Sequence, residues 1–272
     1  MKILIRKARI LDPSSPFHRS IKDIFLTNGK INAIDENLRL EADAVVEAEN
    51  LHVSSGWVDV FANFNDPGFE FKETLETGAN AAAAGGFTHV MVIPNTKPSI
   101  DNKSQVEYIK AKSNSSPVTI HPIGAVTRNA EGKELAEMYD MYASGAVAFS
   151  DGVLPLQSSG MVLKALLYVK AFGGVLIQIP DDNTIGSYGL MNEGIVSTKL
   201  GLPGKPAMSE ELMVARDIKL ARYTNSKIHF TGVSSAKSIE YIQRAKQGGL
   251  QVSCSVTPYH VSFVDEDLTQ YD

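Results

Sequence analysis

The sequence predicts an α/β fold, a TIM-type (β/α)8 barrel with a small antiparallel β domain in front of it. Three observations carry this expectation. Apolar β-type runs alternate with helical stretches from residue 54 onward. These runs are apolar throughout, as strands of a parallel sheet covered on both faces should be. The first fifty-odd residues instead carry short β runs broken by turn signals.

In the N-terminal part the β runs fall at residues 2–10, 21–27, 30–34 and 44–47. Pro13-Ser14-Ser15-Pro16, Asn28-Gly29 and Asp35-Glu36-Asn37 separate them. Asn-Gly between two apolar runs is a hairpin signal, because both residues tolerate positive φ. Residues 1–53 are therefore expected to form a β-sandwich-like domain, and residues 54–272 a (β/α) barrel. Strands are expected at 57–62, 88–93, 118–126, 147–150, 174–179, 227–231 and 250–256. Helices are expected at 72–84, 102–112, 131–143, 160–172, 209–223 and 236–247. Seven strands are found, and the eighth of such a barrel is expected beyond the end of this chain. A doubly wound open sheet is the alternative, but no Gly-x-Gly-x-x-Gly follows the first strand.

Composition narrows the function classes. The net charge of −5 gives no reason to expect nucleic acid or an anionic membrane as partner. No stretch approaches the ~20 apolar residues that span a bilayer, and the N-terminus lacks a signal-peptide pattern, so a cytoplasmic protein is expected. The single cysteine, Cys254, excludes an internal disulfide and lies in an apolar run, which predicts a buried side chain. A homodimer is the base-rate expectation.

Barrel enzymes carry their reactive groups at the C-terminal ends of strands. The first strand ends Phe61-Ala62-Asn63-Phe64-Asn65-Asp66-Pro67-Gly68, and the second Ile93-Pro94-Asn95-Thr96. The fourth ends Phe149-Ser150-Asp151-Gly152, the fifth Ile177-Gln178-Ile179-Pro180-Asp181-Asp182, and the sixth His229-Phe230-Thr231-Gly232-Val233-Ser234. The loop between the last two reads Met191-Asn192-Glu193-Gly194, then Lys199-Leu200-Gly201-Leu202-Pro203-Gly204.

These motifs resemble the dihydroorotases, a branch of the cyclic amidohydrolases, over essentially the whole chain. In that family the first strand ends in His-x-His, whose two side chains share one face of the strand and clasp a metal. The resemblance places those ligands at Phe61 and Asn63, and the remaining metal histidines at Ile179 and Gly232. It makes Asp151 a relic metal ligand, with a solvated carboxylate at a loop start as the alternative, puts Asn65 where the family's substrate-holding arginine stands, and assigns Asn95 to substrate contact, with a turn residue as the alternative. None of the four replacement side chains is a good zinc donor. The chain is therefore expected to bind no cofactor, although active relatives use zinc.

The other candidates have plain readings. His18, His52, His89, His121, His229 and His260 share no metal-type spacing and read as isolated surface or hydrogen-bonded core residues. Asp181-Asp182 and the pair Glu70 and Glu73 read as loop or helix-start charges.

The resemblance implies a silent dihydroorotase relative of pyrimidine biosynthesis with a structural or regulatory role, and names aspartate carbamoyltransferase as the partner to expect. Two alternatives stand beside it. One is an active enzyme hydrolysing dihydroorotate to N-carbamoyl-aspartate on an atypical metal site. The other is a small-molecule binding module with a more apolar pocket, since Phe61 and Ile179 replace histidines.

Overall fold

The computed structural model describes residues 1–270 and divides into two compact units, Met1–Trp57 and the chain from Val58 onward. In the first unit, β1 (Lys2–Leu11), β2 (Ile21–Thr27) and β3 (Lys30–Asp35) form an antiparallel meander, with Asn28 and Gly29 both at positive φ in the hairpin turn. Then β4 (Ala44–Val46) and β5 (His52–Ser54) pair with β1 in parallel. The unit is thus one five-stranded sheet, the expected antiparallel β1–β3 extended by two short parallel partners of β1. Its buried apolar residues are Leu4, Ala8, Ile10, Ile24 and Phe25.

The second unit begins with β6 (Trp57–Ala62), α1 (Leu75–Ala84), β7 (Phe87–Val92), α2 (Lys103–Ser113) and β8 (Thr119–Gly124). It continues through α3 (Met138–Ala143), β9 (Ala148–Phe149), α4 (Ser159–Lys170) and β10 (Val175–Gln178). A two-stranded excursion, β11 (Met191–Asn192) and β12 (Gly204–Lys205), brackets α5 (Ile195–Leu200). Then come α6 (Met208–Thr224), β13 (Lys227–Thr231), α7 (Ala236–Gln247), β14 (Val252–Ser255) and α8 (Pro258–Ser262). The large strands lie in the order β14-β13-β10-β9-β8-β7-β6, a curled half-barrel sheet whose recorded pairings are parallel. None of the helices among the described residues is long and apolar enough to cross a membrane.

Strand parity sorts the side chains into two sets. Val90, Val92, Ile120, Phe149, Leu176, Ile228, Phe230 and Val252 turn outward and merge with the helices into the main core. The alternate residues turn inward, where Ile93, Ile123, Ala148 and Ile177 form a second apolar cluster with Phe61, Met91 and Val175 against it.

Two expectations are corrected. The helix expected at 131–143 is reduced to six residues, Met138–Ala143, because Asn129, Ala130 and Gly132 take positive φ and turn the chain. The amide of Gly132 donates to Thr127 Oγ1 at 2.8 Å, which holds that turn. Cys254 is exposed instead of buried, because β14 is the edge strand of the sheet.

Candidate functional site

The C-terminal ends of the strands bring the sequence-predicted positions to one end of the sheet. Phe61, third of the inward residues from β6, packs its ring against the inner apolar cluster. Asn63 lies just past the strand, exposed, and its Oδ1 accepts the amide of Asn65 at 3.2 Å. This closes a short Asx turn with Asn65 at φ 59°, a conformation asparagine tolerates. The next residue, Asp66, is buried and fixes the loop from both sides. Its Oδ2 accepts the amide of Leu75 at 3.1 Å and its Oδ1 accepts the hydroxyl of Tyr108 at 2.8 Å. Burial and then this bond to Asp66 push the Tyr108 phenol up to about 12.

Asn95 is spent on the backbone. Its Nδ2 donates to the carbonyl of Asp151 at 3.0 Å, and its Oδ1 accepts the amide of Val153 at 2.9 Å. Gly152 lies under this clamp at φ +66°, where an added Cβ would stand 1.6 Å from Asn95 Oδ1. The glycine next to Asp151 is therefore a packing requirement of Asn95.

Asp151 is 2% exposed, and the bonds of its carboxylate lead to the loop after β8. Oδ1 accepts the amides of Val126 and Thr127, each at 2.9 Å, and Oδ2 accepts the Thr127 hydroxyl. Burial pushes the carboxyl above the usual carboxylate range, with the Thr127 and Val126 donors pulling it partway back. This aspartate ties β9 to the β8 loop.

Ile179 follows β10, and its neighbour Gln178 points to the helix side. The Gln178 amide grips Leu156 at both its N–H (3.3 Å) and its carbonyl (3.1 Å). Arg216 joins the same carbonyl at 2.8 Å and pairs with buried Asp217 at 2.7 Å. Gly232 follows β13 at φ +73°, with its amide on the carbonyl of Ser255 at 3.0 Å and open space where a Cβ would be.

Ile179 and Gly232 border a cavity of about 330 Å³ together with Asp181, Asn192, Glu193, Lys205, Glu210, Ser234 and Ser235. This lining is mainly polar, with Ile179 as an apolar contribution. Phe61 is absorbed by the inner cluster, so only Ile179 of the two apolar replacements borders the cavity. Lys205 Nζ pairs with Asp181 Oδ2 at 2.5 Å. Buried Glu210 accepts the amide (2.9 Å) and hydroxyl (2.8 Å) of Ser234 and the amide of Ser235 (3.0 Å), which fixes the turn into α7, while the Ser235 hydroxyl caps that helix by accepting the Lys237 amide.

Three histidines are less isolated than their spacing suggests. The pairing of β7 with β8 sets His121 opposite Met91, and His89 Nδ1 lies 3.0 Å from His121 Nε2 with the rings stacked. Burial, then His89, then Lys110 lower the His121 pKa. His229 bonds Ser253 at 2.8 Å through Nδ1 and Ser255 at 3.0 Å through Nε2, and burial lowers its pKa. Strand parity was the only signal for these contacts, because the partners lie 32 and 24 or more residues apart. Among the described residues, no group of three or more His, Cys, Asp or Glu side chains is placed to hold a metal ion.

Glu70 accepts the amide of Gly68 at 2.8 Å, and Glu73 accepts the Thr77 hydroxyl, so both serve the loop before α1. Asp182 accepts the amide (2.9 Å) and hydroxyl (2.6 Å) of Thr184.

Comparison with known proteins gives these arrangements a family. A family model described as dihydro-orotase-like matches residues 52–238. The chain is 42% identical over its full length to the dihydroorotase of Pelotomaculum thermopropionicum and covers 64% of that protein. It is 40% identical to the dihydroorotase of Caldanaerobacter subterraneus subsp. tengcongensis, again over its full length, and covers 63% of it. It thus spans a little under two thirds of these relatives. Among solved structures, an L-hydantoinase (dihydropyrimidinase) from Arthrobacter aurescens superposes with a TM-score of 0.79 at 19% identity, over 98% of this chain and 61% of that one. That likeness speaks for the fold alone. With more than half of its length matched by the family model, the chain belongs to the dihydro-orotase-like family.

Proposed function

We propose that this chain is a non-catalytic dihydroorotase-family protein of pyrimidine biosynthesis with a structural or regulatory role. One observation carries the reading. The positions that the family resemblance assigns to the metal histidines hold Phe61, Asn63, Ile179 and Gly232, and both oxygens of Asp151 are committed to Val126 and Thr127.

A zinc site needs three or more good protein donors. Phe61, Ile179 and Gly232 offer no side-chain lone pair, and Asn63 turns its oxygen to its own loop. These residues do not fit zinc. The test is metal content together with hydrolysis of dihydroorotate by the full chain. Sub-stoichiometric zinc and no turnover are expected. Stoichiometric zinc with turnover overturns the proposal.

Aspartate carbamoyltransferase is the partner we propose, on the family resemblance. Exposed apolar side chains around β11 and α5 support a contact role for that segment: Tyr188, Leu190 and Ile195 are each more than two thirds exposed. Co-elution of the two proteins at micromolar concentration is expected, and independent elution removes the partner.

A second reading, an active dihydroorotase, is favoured by the names of relatives about 40% identical to this chain. The zinc and turnover measurements decide between the two.

A further inference from the structure

Two histidines and a methionine come together on the inner face of the sheet, below the strand ends. In β7, Val90 and Val92 turn outward into the main core, so parity sends His89 and Met91 inward, two residues apart on one face. In β8, outward Ile120 leaves His121 on the inner face by the same rule. The register sets His121 directly opposite Met91. Three side chains with soft or intermediate donor atoms thus occupy adjoining inward positions. Neighbouring strands lie about 4.8 Å apart and same-face residues of one strand about 6.6 Å, which side chains of this length bridge.

The two imidazoles already face each other, with His89 Nδ1 3.0 Å from His121 Nε2 and ring centroids 5.3 Å apart. Their situation differs from that of His229, whose two nitrogens are both held by serine hydroxyls. His89 is exposed, and His121 and Met91 are half-buried, so the pair is within reach of solutes. Met91 packs against the inner apolar cluster, and its three rotatable bonds let the thioether turn toward the rings. No carboxylate or thiolate completes the pair, because no group of three or more His, Cys, Asp or Glu is placed to hold a metal among the described residues. The donor set is therefore neutral, and the Lys110 ammonium adds positive charge near His121. A divalent ion finds no counter-charge here. Imidazole and thioether donors suit a soft monovalent ion.

We propose that His89, Met91 and His121 form a binding site for copper(I). In the ion-free pair one facing nitrogen carries the proton and the other accepts it. On binding, that proton moves to the far nitrogen of its own ring, so both facing nitrogens offer lone pairs and no proton is lost overall. Metal–nitrogen bonds of about 2.0–2.1 Å set these nitrogens about 3.5–4 Å apart, an opening of about 0.5–1 Å that exposed His89 makes by turning its side chain. The site uses none of the positions that the family resemblance assigns to metal, so it stands or falls independently of the zinc measurement.

The experiment is anaerobic titration of the full chain with copper(I) against bicinchoninate, a chromophoric copper(I) chelator. Cys254→Ser is present throughout, because that exposed thiol would itself take copper(I). One equivalent of copper(I) passes from the chelator to the protein. Met91→Leu conserves side-chain volume and packing but removes the sulfur, and it weakens binding by about tenfold or more. His89→Gln, at an exposed position, abolishes the transfer. Silver(I) added to protein carrying carbon-13 methionine methyls shifts one methyl resonance, and that shifted resonance is missing in Met91→Leu.

Copper(I) left entirely with the chelator overturns the proposal. So does an affinity unchanged in both Met91→Leu and His89→Gln, or a silver-shifted methyl that persists in Met91→Leu. Displacement of the copper(I) by an equal concentration of zinc(II) overturns it as well, because a neutral donor set of this kind favours the monovalent ion.

Discussion

Restoring a histidine at Phe61 should destabilise the protein without giving it a metal. Phe61 is half-buried against Ile93, Ile123, Ala148 and Ile177, with Met91 beside it. Complete truncation of a fully buried phenylalanine costs about 3–5 kcal/mol. Half-burial and retention of a smaller ring reduce this to about 1–2 kcal/mol for Phe61→His. For a chain of this size that is a fall in Tm of about 2–8 °C. The imidazole also enters a cluster with no hydrogen-bond partner for it, so the upper part of that range is expected. Calorimetry with and without zinc is the assay. A ligand that binds only the folded state raises stability by RT ln(1 + [L]/Kd), so a restored site would show as a zinc-dependent rise of several degrees. With Asn63, Ile179 and Gly232 unchanged, no rise is expected. A variant as stable as the parent would refute the packing estimate, and one whose Tm climbs with zinc would refute the proposed lack of a metal site.

Asn95→Ala removes two bonds to the backbone beyond β9 and should lower stability by about 1–3 kcal/mol in urea unfolding. Gly152→Ala should be worse alone, but the two together should fall short of additive, because the clash is with the asparagine itself. Tyr108→Phe tests the bond to Asp66. The folded-state phenol titrates at about 12, above its ordinary value near 10, so its contribution is full below pH ~10 and is lost as pH rises through ~12. After allowance for partial exposure this amounts to about 1–2 kcal/mol, and the phenylalanine variant should lack that alkaline decline in a denaturation series. Glu210→Ala leaves the amides at the start of α7 unpaired and should cost about 2–4 kcal/mol, with Glu210→Gln recovering part of the loss.

How much of this was legible depended on the range of the interaction. The seven strands were readable because each is a local apolar run, and β13 and α7 have the predicted bounds. Helix α3 was overestimated because residues 134–136 fold back and bond to Val126, Thr127 and Arg128 after the turn at Gly132, a pairing that helical periodicity does not show. The motif residues were found from the family resemblance, but their bonding was not. Asn95 looks the same in sequence whether it meets a ligand or clamps the backbone at Asp151 and Val153. The pairing of His89 with His121 follows only from the register of β7 on β8, which a single sequence leaves open.

On the proposed metal-free reading, the placement of these residues also bears on what holds the strand ends together. A metal ties several strand ends together, and its loss would leave polar ligands facing one another across the barrel. In this chain the two kinds of replacement solve different parts of that problem. Phe61 adds apolar contact to an inner cluster contributed by β7, β8, β9 and β10, so those strands cohere through packing. Asp151 tethers β9 to the loop after β8, which does part of the work of a shared ligand. Across β13 and β14 the inner face is polar, but His229, Ser253, Ser255 and Thr231 bond to one another and need no ion. Buried polar atoms without a hydrogen-bond partner remain in this unit at Asp181 Oδ1, Asp217 Oδ2 and Ser238 Oγ, two of them on the helices and away from the strand ends that a metal would join.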